Sequence, residues 1–129
     1  TVLRGEGMRL SIAGSAPVEI TRDSEPLAFP ADVAADATLL GGTVTDLNVM
    51  TRRDRLEHSM RRLRVAERIE LALEAPLVLL VCAEAVAHVE VNTQTATLAT
   101  LDTLLLEDAP PTLQIFSATM ALMYLIEIQ

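Results

Sequence analysis

Short runs of apolar or alternating residues recur along this chain, and Gly, Pro, Asn or Asp interrupts them again and again. The pattern is plainest after Pro76. "LVLLVCA" is a continuous apolar run of strand length, and "AHVEVNT" alternates. "ATLATLDTLLLED" reads as a short strand, a turn near Asp102 and a second strand. Pro110 and Pro111 break the chain, and "TLQIFS" and "ALMYLIEIQ" close it. Alternation of period two leaves one face of a strand apolar. Many such strands, with turns at roughly 8–12-residue spacing, demand an all-β sandwich or barrel.

The first fifty residues read the same way in shorter pieces. Met8, Leu10 and Ile12 alternate with Arg9, Ser11 and Ala13, and Val18 and Ile20 with Glu19 and Thr21. Gly5 and Gly7 in "RGEG" can supply positive φ in a turn. Residues 37–40 form a buried-strand candidate that ends at Gly41 and Gly42, and residues 46–50 alternate again.

Residues 51–75 fit two periods. The stretch has no Gly or Pro, and Leu56, Met60, Leu63, Ala66 and Leu73 fall near one helical face, so local propensity puts a helix slightly ahead. As a strand, Leu56, His58 and Met60 share one face. Leu63 and Val65 join them only if a bulge at Arg61 and Arg62 shifts the phase.

Composition excludes several classes of function. The chain has 129 residues, enough for one domain with a real core, and half are apolar, which argues against disorder. A formal charge of −8 argues against nucleic acid as the main partner. No stretch reaches the roughly 18 apolar residues of a membrane-spanning helix, and no signal peptide is visible, so no membrane association is expected. Cys82 is the lone cysteine and sits in an apolar run, so it reads as a small buried hydrophobe in a cytoplasmic protein.

The chemistry-bearing residues are few. His58 and His88 are far from metal-ligand spacing, so no metal and no other cofactor is expected. There is no G-x-S-x-G, and burial would keep Cys82 inert, so no catalytic residue is assigned. "LLGGTVTDLNVMTRRDR" stands apart. On a strand Asp46 and Asn48 point the same way, Met50 continues that face and Arg52 lies beyond it. In a barrel interior Asp46 could accept from a ligand amide, Asn48 could donate and accept, and Arg52 or Arg53 could grip a carboxylate. That set suits a small acidic metabolite such as an amino-acid derivative. The plainer reading is an Asp46 that caps the Gly-Gly turn and pairs with an Arg. Seven of the ten arginines lie between positions 52 and 68, and a solvated strand face with local ion pairs accounts for them best.

The order of these pieces resembles the HutD/Ves family of bacteria. "LRGEGMRL", "PLAFPADV", "LLGGTVTDLNVMTRR", "LRV" and "LDTLLLED" carry the resemblance. Its most specific part is an L-x-G-x-x-x-D-x-N-x-M-x-R-R pattern on Leu40, Gly42, Asp46, Asn48, Met50, Arg52 and Arg53. The resemblance implies a cupin-like barrel (double-stranded β-helix, or jelly roll), as part of a bicupin. It places the later strands of a first cupin unit in residues 1–54 and a second unit in residues 55–129. It favours strand over helix for residues 56–65. It implies a non-enzymatic protein that binds a small metabolite, with a regulatory or accessory role in histidine utilisation. A metal-free isomerase or hydrolase using Asp46, or an oligomeric scaffold without ligand, are the alternatives.

Two departures bear on this. The family's opening segment, rich in Trp, Lys, Asn and Gly, has no counterpart, so the chain is expected to be an N-terminally truncated fragment. The uncovered edges and apolar surface of a part unit would then call for a companion segment or self-association as a homo-oligomer. A Gly usual in a hairpin of the second unit is also replaced, with Glu84, Ala85 and Val86 in its place.

Overall fold

The computed structural model describes residues 1–129. Every regular element is a β-strand, and there is no helix. The chain divides into two compact units, Thr1–Met50 and Thr51–Gln129.

The second unit holds eight strands: β6 (His58–Val65), β7 (Arg68–Ala72), β8 (Leu77–Glu84), β9 (Ala87–Val91), β10 (Gln94–Leu98), β11 (Thr103–Leu106), β12 (Thr112–Phe116) and β13 (Ala121–Ile128). They form two four-stranded sheets, ordered β11-β8-β13-β6 and β10-β9-β12-β7, with every neighbouring pair antiparallel. First strand beside last, and second beside next-to-last, is jelly-roll order, the arrangement that cupins share. The sheets stay separate and do not close into the cupin-like barrel that the resemblance implies. Each ends in edge strands, and closure of the core comes from packing sheet on sheet.

That packing follows from the alternation. Val78, Leu80 and Cys82 of β8 and Ala121, Met123 and Leu125 of β13 turn inward from one sheet. Ala87 and Val89 of β9, Leu98 of β10, and Leu113 and Ile115 of β12 meet them from the other. All are buried, and Val65 of β6 completes the cluster. Residues 121–126 of β13 are buried on both faces, which is why that strand reads as a continuous apolar run up to Glu127.

Residues 58–65 form a strand, as the resemblance implies and against the local propensity for a helix. No bulge forms at Arg61 and Arg62, so Leu63 and Val65 do not join the face of His58 and Met60. β6 runs in unbroken register along β13 from His58 opposite Ile128 to Val65 opposite Ala121. Ser59, Arg61, Leu63 and Val65 therefore share the inward face. Arg61 tolerates that position because Glu127 lies diagonally across from it on β13.

The first unit is slighter. β1 (Val2–Arg4) pairs with β5 (Thr45–Asp46), and β2 (Met8–Ile12) lies between β3 (Val18–Ile20) and β4 (Ala35–Leu39). The alternating stretch at residues 46–50 contributes only Asp46 to a strand. Gly5 and Gly7 lie at φ +97° and +113° in the turn between β1 and β2. A Cβ on Gly7 would lie 2.3 Å from the Ile20 carbonyl oxygen, so both conformation and space require glycine there. Met8, Leu10 and Ile12 share a face with Val18, Ile20, Ala35, Ala37 and Leu39, yet only Leu10 and Ile20 of that face are buried.

Candidate functional site

A jelly roll with an apolar middle can hold polar groups only toward its ends, where water or backbone donors satisfy them. In the second unit this happens at Glu127. It follows Met123 and Leu125 on the inward face of β13 and is 7% exposed. Its Oε1 accepts a 2.6 Å hydrogen bond from the Glu74 backbone N–H. Its Oε2 lies 3.6 Å from the Arg61 guanidinium. That separation is too long for a good hydrogen bond, and the Arg61 side chain is half exposed. The guanidinium is therefore held near the carboxylate but not saturated by it.

Beside this pair lies a cleft of about 210 Å³, lined by Glu57, His58, Ser59, Glu74, Glu127 and Gln129 among others. Glu57 and Gln129 are held by reciprocal backbone hydrogen bonds of 2.8 and 3.0 Å. His58 is oriented by a 2.8 Å hydrogen bond between its Nδ1 and the Thr51 hydroxyl. The cleft thus offers carboxylate acceptors, a hydroxyl and an imidazole, with Arg61 paired to its most buried acid. Its lining suits the N–H groups of a small polar molecule, and the one cation at hand for a carboxylate is Arg61, which lies outside the lining on the far side of that ion pair.

None of the ligand-binding residues singled out from the sequence is among those lining this cleft. Asp46 and Asn48 do sit side by side, and Asn48 Nδ2 donates to Asp46 Oδ2 at 2.7 Å. Both are exposed, and Met50 is 76% exposed. Arg52 and Arg53 are exposed in the loop that opens the second unit, where Arg55 and Leu56 both donate backbone N–H to the Arg52 carbonyl. The structure brings Asp46 and Asn48 together; Arg52 and Arg53 belong to the other unit.

Sequence reasoning passed over Glu127. A signal was available: a lone acid two and four positions after Leu125 and Met123 in an apolar strand is bound for the interior side. The remaining candidates are structural. Cys82 is buried, and its thiol makes long contacts with the Glu84 and Ala85 carbonyls, at 3.6 and 3.5 Å. Loss of water around the thiol pushes its pKa up, so it stays protonated. His88 stacks on Phe116 and shares a 3.0 Å hydrogen bond with Thr97 on the outer face of the second sheet. In the same row the Arg68 guanidinium lies 6.0 Å from the Phe116 ring centroid and bonds Glu90 at 3.1 Å. No three His, Cys, Asp or Glu side chains are grouped to hold a metal ion. No helix is long and apolar enough to cross a membrane.

Strand order and core together define an all-β, cupin-like protein. A family model for HutD matches residues 1–123, and the chain belongs to the HutD family. Among solved structures it is similar to a conserved protein of unknown function, PA5104, from Pseudomonas aeruginosa PAO1. The two are 27% identical, with a TM-score of 0.86 over 99% of this chain and 69% of that one. HutD from Pseudomonas fluorescens SBW25 is 22% identical, with a TM-score of 0.77 over 100% of this chain and 65% of that one. The protein YhaK from Escherichia coli shares the fold at 12% identity, with a TM-score of 0.65 over 98% of this chain and 72% of that one. The chain therefore spans about two thirds of the length of the two Pseudomonas proteins. No curated protein matches it.

Proposed function

We propose that this chain is a non-enzymatic, cytoplasmic accessory protein of histidine utilisation that binds a small acidic metabolite, such as an amino-acid derivative. Membership of the HutD family supports the pathway. The observation that carries the binding reading is the half-exposed Arg61, loosely paired with the buried Glu127 beside a cleft of about 210 Å³. A surface ion pair needs no cleft, and a core strand needs no carboxylate. Together they form a polar pocket at one end of an otherwise apolar sandwich. Arg61 would take the ligand carboxylate, and Glu127 with Ser59 would take its N–H groups.

On the same reading the fold is part of a bicupin, with residues 1–54 as later strands of a first cupin unit and residues 55–129 as the second. Asp46, Asn48, Met50, Arg52 and Arg53 are the second set of ligand contacts to test. The protein would act without nucleic acid or membrane as partner.

Calorimetric titration with histidine and its acidic breakdown products, followed by an assay for turnover, tests this. The expected result is binding without product, weakened at least about tenfold in Arg61→Gln and kept in Asp46→Ala. Loss in Asp46→Ala with retention in Arg61→Gln would move the ligand to the second set. Product formation would replace the binding reading with that of a metal-free enzyme, and no binding at all would overturn it.

A further inference from the structure

The cleft beside Glu127 has more acceptors than donors. Glu57, Glu74 and Glu127 bring carboxylates to it from the segment before β6, the loop after β7 and the end of β13. His58, Ser59 and Gln129 add an imidazole, a hydroxyl and an amide, and no arginine is among the lining residues. Glu127 supplies a second and independent observation. Its side chain is 8% exposed, and its Oε1 is taken by the Glu74 backbone N–H. Its Oε2 accepts no hydrogen bond, because Arg61 stands 3.6 Å away, beyond hydrogen-bond reach. A nearly buried carboxylate oxygen without a donor is costly, and a ligand N–H would remove that cost.

We propose that this cleft is a subsite for a primary ammonium group, so that the ligand is an amine-bearing acid and not an N-acylated or amine-free one. The inference rests on the binding reading above and names the class of ligand. An ammonium carries three donors on one tetrahedral centre, and carboxylates reach the cleft from three separate segments. An imidazolium has two donors that point in opposite directions, a poorer match. Against Glu127 Oε2 the ammonium makes a charge-assisted hydrogen bond, stronger than a neutral N–H would make. A ligand carboxylate in the same place would meet three like charges with no cation in the lining to offset them. Acylation of the amine removes the charge and two of its three N–H groups. The cleft therefore separates an amino acid from its N-acyl derivative.

Calorimetric titration of the whole chain with four related probes tests the subsite. Histidine and histamine carry the ammonium and should bind. N-acetylhistidine and imidazolepropionic acid lack it and should bind at least about tenfold more weakly. Histamine binding should weaken as salt is added. Glu127→Gln keeps an acceptor for the Glu74 N–H but removes the charge, so it should lower histamine affinity at least about tenfold. Arg61→Gln should leave histamine bound, because that probe has no carboxylate for Arg61 to hold. Should Glu127→Gln fail to fold, Glu57→Gln, at an exposed position of the lining, should lower histamine affinity at least about threefold. If the two amine-free acids bind as tightly as histidine, the ammonium subsite is overturned and the binding reading stands. Histamine affinity that neither glutamate variant changes, or that Arg61→Gln abolishes, overturns the subsite as well. No binding by any of the four probes overturns the subsite and the binding reading together.

Discussion

The two units handle backbone strain in opposite ways. In the first, every residue at positive φ is a glycine: Gly5, Gly7 and Gly14. In the second, every such residue carries a side chain: Ala85, Asn92, Leu101 and Asp108. Burial differs in parallel. All twelve residues of the hydrophobic core cluster belong to the second unit. The buried hydrophobics of the first are Val2, Leu3, Leu10 and Ile20. A left-handed residue with a Cβ persists only where its surroundings over-determine it. The second unit contains no glycine, and Asn92, Leu101 and Asp108 are exposed, so it is the turns joining well-packed strands, not burial of these side chains, that impose the conformation. In the smaller sheets of the first unit glycine removes the strain at its source.

The sharpest way to break this comparison is to cut one leucine in each unit. Leu80 is fully buried at the centre of the core cluster, so Leu80→Ala leaves a cavity and should cost about 2–5 kcal/mol in urea unfolding. Leu39 is 51% exposed on its strand, and Leu39→Ala should cost under about 1 kcal/mol. Similar losses in the two variants would mean that the first unit has a core of its own and that the contrast is wrong.

The polar groups repeat the contrast on a smaller scale. Glu127→Ala strands the Glu74 N–H and removes the acid beside Arg61, so it should destabilise by about 1–3 kcal/mol. Glu127→Gln keeps an acceptor for that N–H and should recover part of the loss. Asp46→Ala removes only an exposed contact to Asn48 and should leave the unfolding curve nearly unchanged. Equal effects at positions 46 and 127 would erase the distinction between a surface pair and an interior one.

How far the sequence was legible follows from how local each signal is. β8 and β13 are apolar over most of their length, broken only by Glu84 and Glu127, so they announced themselves as strands. So did the "RGEG" turn, whose glycines take the positive φ expected of them. Residues 58–65 did not. Arg, Leu and Met favour a helix locally, and what makes the stretch a strand is its pairing with β13, more than fifty positions away. The site divides along the same line. That Asp46 and Asn48 would sit side by side is a property of spacing two and was readable. Whether such a pair faces an interior or solvent depends on what the sheet packs against, which no local pattern contains. Arg61 posed the inverse problem. A bulge at Arg61 and Arg62 was the condition for setting Leu63 and Val65 on the face of Leu56, His58 and Met60; without it Arg61 turns inward, and its tolerance there depends on Glu127, sixty-six positions on.

The smallest effect gives the most direct test of the strain argument. Ala85 sits in the turn between β8 and β9 at φ +66°. It falls in the segment where the family resemblance leads one to expect glycine. An L-residue there bears about 1–2 kcal/mol of conformational cost that glycine avoids, while glycine loses more freedom on folding. The two terms oppose each other, so Ala85→Gly should stabilise by at most about 1 kcal/mol, read as a higher urea midpoint with an unchanged slope. Gly14 sits at φ +83° with open space around its Cβ position, so Gly14→Ala reverses the experiment in the first unit. There conformational strain acts without a clash, and the expected outcome is a lower midpoint. If Ala85→Gly lowers the midpoint instead, the Ala85 methyl contributes packing that outweighs its backbone strain, and the jelly roll is using that position rather than merely tolerating it.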